Sequence, residues 1–208
     1  MNLLLKKLYL EKKEFTTSNE LKNYCKKLGV SYENTIRNLI ARGYLVRIFK
    51  GIFYVRTLQE KELGTTTHSY YELIAKGLEL KNITHWYFGL STALKLNSMT
   101  HEEFTIDHVI NDTIFRAHPI TIAGHRVKFY TITSRLLTFG IIKKGTFSYS
   151  DPEKTILDFL YFWQYNGIPR ERILMDLSDY TTHLSKTKIK RYMPLYPNTI
   201  SSLVDDLL

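Results

Sequence analysis

The chain has 208 residues, and its 29 Lys and Arg against 20 Asp and Glu give a formal net charge of +9. With 44% hydrophobic and 24% charged residues the composition is globular, which excludes disorder over the whole length. A single cysteine, Cys25, excludes an internal disulfide framework or a multi-cysteine metal site; with no membrane-length apolar run and no signal-peptide pattern, a cytoplasmic setting is expected.

The length allows one domain or two small ones, and the charge is divided unevenly along it. Residues 1–60 hold 12 basic and 5 acidic side chains, a net +7, which leaves +2 for residues 61–208. Such a concentrated basic excess marks either a nucleic-acid-binding module or a solvated Lys-rich surface. Charge alone does not separate the two.

The order of elements does. Leu3, Leu4, Leu5, Leu8 and Leu10 predict a first helix, broken at residues 15–18, where Thr17 or Ser18 can cap the next. In a second helix over residues 19–28, Leu21, Tyr24, Cys25 and Leu28 fall on one face, and Gly29 is suited to ending it. Cys25 on that face reads as core, not as a nucleophile. Ser31 caps a third helix over residues 32–42, whose inward residues are Ile36, Leu39 and Ile40. Two β-prone runs, 44–49 and 52–56, flank Lys50-Gly51 as a hairpin. Three helices and a hairpin predict a winged helix-turn-helix over residues 1–60.

In that reading the third helix enters the major groove, led by Ser31, Tyr32, Asn34, Thr35, Arg37 and Asn38. Asn and Arg suit adenine and guanine edges, and Ser and Thr suit phosphates. Lys50 at the wing tip, with Arg47 and Arg56 beside it, would neutralise phosphates. The competing reading is a protein-docking module built on the same fold.

A polar stretch over residues 57–68 reads as a linker, followed by a mixed α+β domain over residues 66–208. Helices are expected over 69–80 and 90–96, then β-prone runs at 104–110, 113–119 and 126–133, with Gly124-His125 as a turn. Asp151-Pro152 opens a long apolar helix, a further one runs over 170–179, and a short one ends the chain. The clustered aromatics recur with Leu and Ile at helical spacing, so core packing explains them better than a stacking surface for single strands.

Catalytic motifs are scarce in the sequence. There is no Gly-rich phosphate loop, and Gly89-Leu90-Ser91-Thr92-Ala93 is not a nucleophile elbow. His101, Asp107 and His108 lack metal-ligand spacing. In Asp151-Pro152-Glu153-Lys154, helix capping explains the aspartate better than a nuclease carboxylate cluster. No catalytic residue, metal or cofactor is therefore expected.

Three blocks carry a family resemblance. Lys50-Gly51-Ile52-Phe53-Tyr54-Val55 closing a winged helix resembles the N-terminal module of AbiEi-type antitoxins. Tyr87-Phe88-Gly89-Leu90-Ser91-Thr92-Ala93-Leu94 is similar to the block after that family's linker. Ser150-Asp151-Pro152-Glu153-Lys154-Thr155 is similar to its Ser-Asp-Pro-Glu-basic-Thr segment. The resemblance implies a type IV toxin–antitoxin, phage-defence operon. The winged helix would bind inverted repeats of operator DNA in its own promoter as a transcriptional repressor, and the C-terminal domain would counter a nucleotidyltransferase toxin. Whether the chain binds as a monomer or as a DNA-induced dimer stays open. So do two alternatives: a ligand-responsive transcription factor, and a metal-dependent nuclease using Asp107 and Glu153. Lys186, Lys188, Lys190 and Arg191 would be the positions for any DNA contact by the second domain, against a plain solvated surface.

Overall fold

Leu4, Leu5 and Leu8 share one buried face of α1 (Leu3–Leu10), which the Asn2 side chain caps by accepting from the Leu4 N–H. The computed structural model describes residues 2–207. β1 (Phe15–Thr17), α2 (Ser18–Leu28), α3 (Tyr32–Ala41), β2 (Leu45–Phe49), β3 (Ile52–Val55), α4 (Leu58–Leu63) and α5 (Tyr70–Glu79) follow in chain order. Thr17 and Glu20 cap α2 reciprocally, and Gly29 ends it in the left-handed conformation at φ +64°. Strands pair antiparallel in the order β1-β3-β2, with Phe15 opposite Tyr54 and Leu45 opposite Val55. Leu4, Leu8, Leu21, Cys25, Ile36, Leu39 and Phe53 meet in one core beneath them. Burial pushes the Cys25 thiol pKa up, consistent with a packed residue.

Two segments differ from the sequence expectation. Residues 15–17, read as a break, form β1, because β3 presents a free edge that a three-residue strand can pair. Three residues are too few for any alternation to register. The expected linker contains α4, held by a capping box between Thr57 and Glu60. Glu60 is only 5% exposed and accepts from the Tyr54 hydroxyl and the N–H groups of Thr57 and Thr67. Burial alone would raise its pKa, but those hydrogen bonds outweigh it and hold the carboxyl at about 2.

The chain divides into two units, and the boundary falls after Asn82, not at residues 60–66. The first unit runs to Asn82 and includes Thr121–Gly124; the second comprises Ile83–Ile120 and the chain from His125 onward. α5 thus belongs to the first unit. A Cβ placed on Gly77 of α5 would lie 2.7 Å from side-chain atoms of both Ile48 and Phe49 on β2.

Beyond Asn82 the elements are β4 (Trp86–Phe88), α6 (Leu90–Leu96), β5 (Ile106–Asn111), β6 (Ile120–Ile122), β7 (His125–Thr131), β8 (Ile141–Lys144), β9 (Phe147–Ser150), α7 (Pro152–Tyr165), α8 (Arg170–Ser178), α9 (Lys186–Tyr192) and α10 (Asn198–Leu207). The sheet order is β6-β7-β5-β4-β9-β8, with β5–β7 and β4–β9 parallel and β4–β5 and β8–β9 antiparallel. α7 packs against α6, α8, α9 and α10, and Ile156, Leu157 and Leu160 are its buried contribution. Together the described residues form a mixed α+β fold with ten α-helices and two sheets.

The β-prone run at 113–119 forms no strand. The Asn111 side chain accepts from the Thr113 and Ile114 N–H groups and donates to the Ile114 and Tyr130 carbonyls, so a side chain serves backbone groups that a ladder would otherwise pair. β8 and β9 were not anticipated; they alternate only weakly and lie either side of Gly145.

Candidate functional site

α3 is held by its Ser31 cap and by Ile36 and Leu39 in the core, which fixes what its other face presents. Asn34, Arg37 and Asn38 are exposed there. Tyr32 is half-buried, with the Lys22 ammonium 5.5 Å from its ring centroid. Arg47 reaches over the Phe53 ring at 5.7 Å. Tyr32, Arg37 and Arg47 line one groove of about 570 Å³ with Ile36, Ile40 and the acidic Glu33.

The remaining expected residues do not join that groove. Thr35, expected to face DNA, is 7% exposed; it sits one position before Ile36 on the inward arc of the helix. The Ser31 hydroxyl oxygen accepts from the Asn34 N–H as the cap of α3. Lys50 is exposed at the hairpin turn, where the Gly51 carbonyl accepts from the Ser18 N–H at 2.8 Å. Arg56, expected beside Lys50, follows the far end of β3. Its N–H donates to the Tyr44 carbonyl, its carbonyl accepts from the Tyr9 hydroxyl, and its buried Nε has no hydrogen-bond partner. The hairpin register, with Leu45 opposite Val55, places Arg56 at the base and not at the tip.

In the second unit, Asp151 caps α7 by accepting from the Lys154 N–H at 2.8 Å. The tetrad does more than cap. The Tyr192 hydroxyl donates to Asp151 at 3.0 Å, and Glu153, 4% exposed, accepts from the Ser185 N–H at 2.9 Å. Lys188 pairs with Glu153 at 3.1 Å and with Asp151 at 3.5 Å, so it is not a free basic position on α9. Lys154 is fully buried and pairs with Asp158 at 3.1 Å, while the hydroxyls of Tyr87 and Tyr196 donate to the same carboxylate at 2.7 and 2.6 Å. Burial depresses the Lys154 pKa against the pull of Asp158. Among the described residues no group of three or more His, Cys, Asp and Glu is arranged to hold a metal ion, and no helix is long and apolar enough to cross a membrane.

The strand-to-helix turn after β4 holds Leu90 at φ +51°, an unusual conformation for a non-glycine residue. Next to it, the Ser91 hydroxyl lies 2.8 Å from His108 Nδ1, and Thr92 bonds both the His108 N–H and Asp107. Ser91 and His108 border a cavity of about 560 Å³. Burial, with Lys128 nearby, lowers the His108 pKa to about 4, so the ring is neutral at pH 7. Neither the absent elbow motif nor the block resemblance at this turn points to the cavity, whose walls come from distant segments.

No family model matches the sequence, and no curated protein matches it. Among solved structures, the chain is similar to the RV2827C protein from Mycobacterium tuberculosis, with a TM-score of 0.58 at 12% sequence identity. The match covers 99% of this chain and 74% of that one. At that identity the likeness concerns the fold alone.

Proposed function

We propose that this chain is a non-enzymatic, cytoplasmic DNA-binding antitoxin that represses its own type IV toxin–antitoxin operon. In this reading the first unit is a winged helix-turn-helix, and its elements run α1-β1-α2-α3-β2-β3 with the hairpin as wing. The observation that carries the reading is the outward face of α3: a capped helix presents Asn34, Arg37 and Asn38, and Arg47 borders the same groove as Arg37. These are the side chains suited to reading base edges in a major groove. Electrostatics support it as well. Extended to Asn82, the first unit still holds 15 basic and 8 acidic residues, a net +7. The second unit would counter a nucleotidyltransferase toxin, a role resting on the resemblance of its two sequence blocks to AbiEi-type antitoxins.

The test is a salt series of binding to the chain's own upstream promoter DNA beside shuffled DNA of equal length. Preference for the promoter with a steep salt slope is the expected result. Equal, weak binding to both would leave the first unit as a protein-docking module. The number of chains bound per inverted repeat distinguishes a monomer from a DNA-induced pair.

A further inference from the structure

The cavity of the second unit serves none of the roles above, and its chemistry is selective. Phe104, Tyr130, Phe159, Trp163 and Tyr180 wall it, and Met175, 69% exposed, stands among them. Its charged lining consists of Glu102, Asp176 and Asp179, with no Lys or Arg, although the unit as a whole is net basic. Asp176 is partly neutralised by Arg172 at 3.4 Å; Asp179 makes no ion pair among the described residues. His108 adds no positive charge at neutral pH, because its ring is uncharged there.

Aromatic faces carry negative potential, and carboxylates beside them add to it. An apolar-walled cavity of several hundred Å³ with a few convergent polar groups is the ordinary form of a small-ligand site. We propose that this cavity binds an organic cation, an ammonium or guanidinium group carried on an apolar stem. The head group is held by Glu102 and Asp179, and the stem lies against the aromatic walls. The Ser91–His108 pair supplies a neutral hydrogen-bonding edge. Two sources carry that chemistry: a free arylalkylamine, and an arginine or lysine side chain of a protein partner. The inference is independent of whether the first unit binds DNA.

Trp163 lines the cavity and is one of two tryptophans, so its fluorescence in a Trp86→Phe background reports occupancy of the full-length chain. Phenylethylamine and a capped tripeptide with a central arginine are the cationic probes; phenylethanol is the neutral match for the amine. A saturable signal is expected from at least one cationic probe, and phenylethanol should bind about tenfold more weakly than the amine or not at all. Saturation by the amine alone assigns a small-molecule ligand, and saturation by the tripeptide assigns a partner's side chain. Asp179→Asn and Glu102→Gln, both at exposed positions that leave the core untouched, should each weaken the bound probe about fivefold. No saturation by either cationic probe, equal binding of the amine and the alcohol, or full affinity in both carboxylate variants would overturn the proposal.

Discussion

Arg37 and Arg47 reach one groove from different elements, and Glu33 lies in the same groove with them. Arg37 is exposed on α3, and the DNA-binding reading assigns its guanidinium to a base edge. Arg37→Ala is expected to cost about 1–3 kcal/mol on the operator while leaving random DNA nearly unchanged. Equal losses on both DNAs would reassign it to a phosphate. Lys50, exposed at the turn, should behave the other way. Lys50→Ala weakens both DNAs alike and lowers the salt slope by about one charge. Glu60 yields a prediction independent of DNA. Its carboxyl titrates at about 2 when folded, below the ordinary value of 4.5, so its stabilisation is complete above about pH 4.5 and is lost as pH falls through 2. Glu60→Gln should therefore destabilise the first unit at pH 7 by on the order of 3 kcal/mol and flatten its acid melting between those values. A variant whose melting follows the parent's across that window would mean that Glu60 is not held as an anion.

At the scale of elements, α5 shows how packing redraws a boundary. Its Gly77 faces Ile48 and Phe49 at a distance that leaves no room for a methyl group. In an exposed helix Gly→Ala stabilises by up to about 1 kcal/mol, but here the added carbon must displace two buried side chains. Gly77→Ala is expected to destabilise the first unit by about 1–3 kcal/mol in chemical denaturation. A stabilised variant would show that α5 does not pack there. The helix itself was legible from Leu73, Ile74 and Leu78 behind a Ser69 cap. Its allegiance was not, because helical spacing shows which face is buried and not which partner covers it. β1 illustrates the complementary case: it pairs with β3, with Phe15 opposite Tyr54, a partner too distant in the chain for local spacing to reveal.

Across the whole molecule, charge is used in two ways. The first unit displays an excess of it, whereas the second buries Lys154 and Asp158 at zero exposure with Tyr87 and Tyr196 completing the hydrogen bonds. The Lys154 ammonium lies 4.5 to 5.5 Å from the ring centroids of Phe139, Tyr87 and Tyr196. Removing one member leaves the other buried without its counter-charge. Lys154→Ala should cost about 3–5 kcal/mol in the second unit, measured by denaturant unfolding. A loss below about 1 kcal/mol would mean that the two tyrosines suffice for Asp158.

The features readable in advance are those governed by neighbours a few positions apart. The caps at Ser31 and Asp151, a cap at Thr17 or Ser18, the left-handed Gly29, the Lys50-Gly51 turn and the apolar faces of α2, α3 and α7 all rest on interactions within about one helical turn. Interactions across long separations were hidden. Lys154 meets a tyrosine 42 residues away, and Arg56 lies at the base of its hairpin because of a strand register. The cavity draws its walls from α6, β5, β7, α7 and α8 and the segments flanking them. Side chains so far apart in the chain carry no mutual spacing that a sequence can display. They become a site only when the core brings their backbones together.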